Sequence, residues 1–151
     1  MTNQDQLQLL APDLTKDYPR SPRETLGDFV IAGRTLDKCR ALLVGRNGEY
    51  HFDCPLDNIF FDFGGLGVDA FKEQAATGAT DDEMAEWIRS NTTVQEKIEI
   101  IRWNNEMRTK RLCELPDQLQ IFLEDYIPKF IPRNRPVYCW FDVYDLEEQR
   151  I

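Results

Sequence analysis

The sequence predicts a mainly α fold: a compact single-domain bundle of about six helices, with room for one short two-stranded β ribbon. Three observations predict it. Apolar residues recur at three- and four-residue steps along most of the chain. Three segments open with a capping pattern: Ser21 with Glu24, Thr80 with Glu83, and Thr93 with Glu96. The 151 residues are 42% hydrophobic and 11% aromatic, enough to bury the core of one ordinary domain.

Residues 1–20 read as an irregular N-terminal arm packed on the body, punctuated by Pro12, Pro19 and Asp13, with Leu9, Leu10, Leu14 and Tyr18 as anchors. Residues 21–151 read as one helical domain. Its first helix starts at Ser21, with Pro22 at the first helical position, and runs to about Val44 before Gly45. Gly27 and Gly33 lie inside that span, and at least one of them marks a close approach of another segment. Asn47-Gly48 is a turn signal, and Glu49 to Asp53 alternates polar and aromatic residues as a half-buried strand would.

Helices resume after Pro55. One carries Leu56, Ile59, Phe60 and Phe63 and stops at Gly64-Gly65. A second spans about Val68 to Thr77, and a third opens at Thr80 and turns Met84, Trp87 and Ile88 inward. The longest of the later helices opens at Thr93 and runs to about Lys110, with a broad stripe from Val94 to Met107. Asp117 opens another, ended by Pro128. The proline-spaced stretch 127–136 is irregular. Val137 to Phe141 reads as a strand able to pair with 49–53, and Asp145 to Glu148 as a last helical turn.

Charge is polarised. The formal net charge of −9 gathers in residues 47–100, which carry three basic and twelve acidic groups; residues 1–46 sum to +1 and 101–151 to −1. With a pI near 4.6, the surface is unsuited to generic phosphate-backbone binding, so nucleic acid is excluded as an expected partner. No apolar run is long enough to cross a membrane, and Met1 to Asp5 shows no export-signal pattern. The acidic middle, with basic clusters at Arg108, Lys110 and Arg111 and at Lys129, Arg133 and Arg135, suits a protein partner or a homo-oligomer.

Four cysteines (39, 54, 113, 139) without close spacing read as reduced cytoplasmic thiols. With His51 as the single histidine, neither a metal site nor a cofactor is expected. Gly64-Gly65-Leu66-Gly67 lacks the Lys and Ser/Thr of a phosphate loop, and Asp69 follows it. Asp81, Asp82, Glu83 and Glu86 read as dipole-complementing acids in a helix's first turns.

Two constellations are the ligand-binding candidates. His51 and Asp53, with Glu49, share one face of the expected strand beside Cys54 and Asp57, where an imidazole and carboxylates could hold an ion or move a proton. Arg34, Asp37 and Lys38, with Arg40, lie on adjoining turns of the first helix, as a carboxylate or phosphate site would need; a solvated face with one ion pair has the same pattern. A tight turn at Gly45 to Gly48 would fold the strand back along the helix. Arg34, Asp37 and Lys38 would then lie near His51 and Asp53 in a polar cleft.

The segments Leu10-Ala-Pro-Asp-Leu-Thr-Lys-Asp-Tyr-Pro-Arg-Ser-Pro-Arg-Glu24, Arg34-Thr-Leu-Asp-Lys-Cys-Arg-Ala41 and Gly48-Glu-Tyr-His-Phe-Asp-Cys-Pro-Leu-Asp57 resemble a family of bacterial proteins, the domain of unknown function five-zero-six-nine. The ending from Trp140 to Glu148 fits it too. The resemblance implies a compact bacterial domain over nearly the whole chain and carries no functional residue across. Two readings stand: a non-catalytic binding or regulatory interaction module, which the absent catalytic motifs and polarised charge favour, and a small enzyme or an anionic-ligand- or metal-binding protein using the His51 and Arg34 cleft.

Overall fold

A computed structural model describes every residue from Met1 to Ile151. The protein is mainly α, with eight α-helices, one 3-10 turn and one two-stranded antiparallel sheet. The chain forms two compact units, Met1–Ile101 and Arg102–Ile151.

In the first unit, α1 (Asn3–Leu10) occupies part of the stretch read as an irregular arm. Thr2 accepts from the Asp5 N–H while the Asp5 carboxylate accepts from the Thr2 N–H, a capping box that outweighs the prolines farther on. Leu7, Ala11 and Leu14 anchor this region, whereas Leu9 is 72% exposed.

The helix expected over 21–44 is the largest correction. Only Ala32–Leu43 is helical, as α2. Before it, β1 (Thr25–Leu26) and β2 (Phe29–Val30) pair in register, Leu26 opposite Phe29. Gly27 and Asp28 both have positive φ, 57° and 80°, as a two-residue hairpin turn of the primed type requires. Ser21 and Glu24 cap a turn rather than a helix, with the Ser21 N–H donating to the Glu24 carboxylate. The apolar residues of 21–31 fit either period, and the Gly27-Asp28 turn decides for the hairpin. Ile31, fully buried with φ 73°, bridges sheet and helix.

Residues 49–53 form turns and irregular chain instead of a strand, so the ribbon expected with 137–141 does not exist. Asp53 takes φ 67°, which no strand residue does, because its N–H turns to the Asp57 carboxylate. Next come α3 (Pro55–Gly64), α4 (Val68–Ala76) and α5 (Asp81–Asn91), close to their predicted spans. The core here is aromatic. Phe29 meets Phe60 edge-on at 5.5 Å, Phe61 meets Phe71 at 5.2 Å, and Phe71 reaches Trp87 at 5.9 Å. Leu36, Met84 and Ile88 fill the space around them.

The helix α6 (Lys97–Arg108) starts after the predicted Thr93 box, because the Thr93 N–H donates to the Gly64 carbonyl instead. Its stripe resolves to Ile100, Trp103 and Met107 buried, with Ile98 and Ile101 exposed.

In the second unit, α7 (Asp117–Phe130) runs through Pro128 rather than ending there. Pro128 is exposed, so the carbonyl its ring leaves unbonded one turn back faces solvent. The segment read as a strand at 137–141 is the entry to α8 (Trp140–Glu147). The Asp142 carboxylate accepts from the Tyr138 and Cys139 N–H groups, and this cap overrides the β propensity of Val137 to Phe141. Trp140, Phe141, Val143 and Leu146 are buried; only Cys139, bridged to Arg111, keeps a trace of strand.

Candidate functional site

The helix α2 carries four charged side chains, and all are buried: Arg34 3% exposed, Asp37 9%, Lys38 4% and Arg40 3%. A solvated face is therefore not what this pattern encodes. Charge taken out of water must be paired, and the partners come from distant parts of the chain.

Arg20 lies across Gly33, where an added Cβ would sit 3.3 Å from the guanidinium Nε. Its fork donates to both Asp37 oxygens, at 2.9 and 3.1 Å, and to Asp81 at 3.0 Å. Arg40 closes the chain of charges, donating to Asp81 at 2.8 Å and to the Ala79 carbonyl at 2.8 Å. Burial works to raise the Asp81 pKa, but the hydrogen bond from Arg40 and the charges of Arg20 and Arg40 outweigh it, so its carboxyl lies below the ordinary range. Burial likewise opposes the charged form of Arg20, and Asp37 more than offsets it.

The second half of the site centres on Asp57, which is fully buried at the third position of α3. Its carboxylate accepts from the Thr35 hydroxyl at 2.6 Å and the Asp53 N–H at 3.0 Å, and pairs with Lys38 Nζ at 2.9 Å. Lys38 Nζ also donates to Cys54 Sγ at 3.2 Å. Arg34 donates to the Arg20 carbonyl at 3.3 Å and lies over the Tyr50 ring, 5.6 Å from its centroid.

The structure thus brings α2 against the 50–57 segment, through Arg34 with Tyr50 and Lys38 with Cys54 and Asp57. His51 and Asp53 have exposed side chains beside that contact. Sequence reasoning missed Arg20 and Asp81 as members of the network. The one available signal was Arg20 preceding the Ser21 cap, which says nothing of a partner 61 residues away. No group of three His, Cys, Asp or Glu side chains is placed to hold a metal ion. A cavity of about 150 Å³ opens elsewhere in this unit, lined by Gly27, Phe29, Arg89, Val94 and Ile100 among others, and none of the sequence-selected residues borders it.

In the second unit, α7 exposes Ile121 (61%), Phe122 (57%) and Phe130 (51%) and buries only Leu123. Phe122, Tyr126 and Phe130 stack at one-turn steps, with centroids 5.3 and 4.4 Å apart. The Tyr126 hydroxyl donates to Glu147 at 2.6 Å, and burial followed by that bond raises its pKa. Asp125 and Lys129 stand on the same exposed side, and neither has an ion pair within the chain.

A family model described as Domain of unknown function (DUF5069) matches residues 16–150. No curated protein matches the chain.

Proposed function

We propose, from the premise that the chain belongs to the family Domain of unknown function (DUF5069), that it is a non-catalytic interaction module that pairs with a second copy of itself through α7. The observation that carries this reading is an aromatic ladder of exposed Phe122 and Phe130 with the half-buried Tyr126 between them, flanked by exposed Ile121. Contiguous exposed apolar surface of this kind marks an interface, and aromatic anchors supply most of an interface's energy.

Charge and register select the occupant. Two copies of α7 laid antiparallel about a two-fold axis near Tyr126 place Phe122 opposite Phe130 of the other copy. The axis that faces Asp125 with the other copy's Lys129 lies one residue farther on, about 1.5 Å along the helix. Both pairings therefore fit one arrangement. The ladder and Ile121 expose on the order of 300–400 Å² per copy, below the roughly 800 Å² per partner of a standard stable interface. The dimer is weak and concentration-dependent.

The buried, ion-paired state of Asp37, Lys38 and Asp57, with Arg34 buried against the Arg20 carbonyl and the Tyr50 ring, supports this module over a ligand cleft at that place. The four free cysteines suit a reducing compartment, and we read the protein as bacterial and cytoplasmic. Sedimentation across a micromolar-to-millimolar concentration series tests the pairing. A monomer–dimer equilibrium is expected, abolished by Phe122→Glu, weakened by Asp125→Lys or Lys129→Asp alone, and restored when the last two are combined. A monomer at every concentration, or a dimer indifferent to these substitutions, overturns it.

A further inference from the structure

We propose that Cys54 and Lys38 are a modification site at which a peroxide drives a covalent cross-link between the thiol sulfur and the ε-nitrogen. The two atoms are 3.2 Å apart in the reduced protein. Both are held in place. Lys38 is 4% exposed and fixed by Asp57, itself locked by Thr35 and the Asp53 N–H. Cys54 stands between Asp53, at φ 67°, and Pro55, whose ring fixes its own φ, so the cysteine backbone has little room to carry its sulfur away. Cys54 is half-buried, open to a molecule as small as hydrogen peroxide. The other cysteines differ. Cys39 is buried, with its thiol pushed up to about 12 by that burial, while Cys113 and Cys139 have no lysine nitrogen against them.

The chemistry balances. Hydrogen peroxide oxidises the Cys54 thiol to a sulfenic acid and releases one water. The Lys38 ammonium loses a proton to the water released beside the half-buried Cys54. The freed amine attacks sulfur, forms the S–N bond and expels the sulfenic oxygen as a second water. In total, thiol, ammonium and one peroxide give the S–N link, two waters and a proton. A second peroxide inserts an oxygen between sulfur and nitrogen and releases a third water. Two equivalents of a small thiol reverse the S–N link, the first attacking sulfur and freeing the amine, the second reducing the mixed disulfide. The product has lost the Lys38 positive charge and left the buried Asp57 carboxylate without its counter-ion, so oxidation exchanges the ion pair between α2 and α3 for a covalent tether.

The test is tryptic mapping of the folded full chain after hydrogen peroxide. Peptides 35–40 and 47–72 are expected to appear joined, about 2 Da lighter than their sum, or about 14 Da heavier with the bridging oxygen. Cys39 lies in the same peptide as Lys38, so fragmentation must assign the bond to Lys38; a Cys39–Cys54 disulfide overturns the proposal. Cys54 driven to sulfinic or sulfonic acid without a link, or left unmodified, overturns it too. Lys38→Arg keeps a cation for Asp57 but removes the amine, and is expected to abolish the link. If that variant does not fold, Cys54→Ser serves instead: peroxide should shift the melting temperature of the wild-type chain, reversibly with thiol, and leave Cys54→Ser unchanged. An equal shift in both sinks the idea.

Discussion

At the scale of single residues, the protein's most consequential choice is to bury Lys38 against Asp57. A lysine four carbons long could place its ammonium in water, yet this one is 96% removed from it and meets a carboxylate that is fully buried. Such a pair adds little net stability over apolar residues of similar volume, but removing one partner is expensive, roughly 3–5 kcal/mol. Lys38→Met should therefore destabilise the chain by that order in a urea titration. Adding Asp57→Asn, which removes the charge and leaves one oxygen to accept from the Asp53 N–H while its NH2 can donate to the Thr35 hydroxyl, should recover part of the loss. If the double variant is no more stable than Lys38→Met alone, the buried charge is not what costs energy there.

At the scale of elements, the hairpin before α2 shows where sequence reading stops. Leu26, Phe29 and Val30 satisfy a helical period as readily as a two-strand one, and Ser21 with Glu24 is as good a cap for a turn as for a helix. Gly27 resolves it: φ is 57°, and a Cβ there would meet Ile88 Cβ at 3.0 Å and the Ala85 carbonyl at 3.1 Å. Gly27→Ala should cost more than the roughly 1 kcal/mol of left-handed strain alone, because the neighbours must also shift. Circular-dichroism melts would reveal it; an unchanged melting temperature would mean that the turn relaxes freely. The Gly27-Asp28 pair between apolar residues is a hairpin signal that the helical reading of 21–44 leaves unused.

At the scale of the whole molecule, pH acts through the ionic chain that ties α2 to α5. Asp81 has a pKa below its ordinary 3.8, so it binds a proton more weakly in the folded than in the unfolded state. Its contribution is fully present above that ordinary value and is lost as pH falls through the lower folded one. Asp81→Asn should remove that part of the acid limb, leaving a stability curve flatter below pH 4. Equal acid sensitivity in the two proteins would show that other carboxylates set the limb. Asp81 is about half exposed, so added salt should weaken its pairing with Arg20 more than the buried pair of Lys38 and Asp57.

The sequence by itself determined the helical class, the spans of α3, α4 and α5, and the Thr80 cap. These depend on residues within one or two turns of each other, where spacing and capping chemistry act without help from the rest of the chain. It also grouped Arg34, Asp37 and Lys38 with His51 and Asp53; in the structure α2 meets the 50–57 segment through Lys38 with Cys54 and Asp57, while His51 and Asp53 have exposed side chains. Only the tertiary structure decided that the α2 charges are interior. Burying a charge depends on whether a partner arrives, and the partners Arg20 and Asp81 lie 17 residues from Asp37 and 41 from Arg40. The same holds for Val137 to Phe141, whose side chains suit a strand until Asp142 caps the backbone of Tyr138 and Cys139 and the buried Trp140 and Phe141 turn the segment into a helix. Local propensity proposes a conformation; hydrogen-bond satisfaction and burial, which depend on the whole chain, select it.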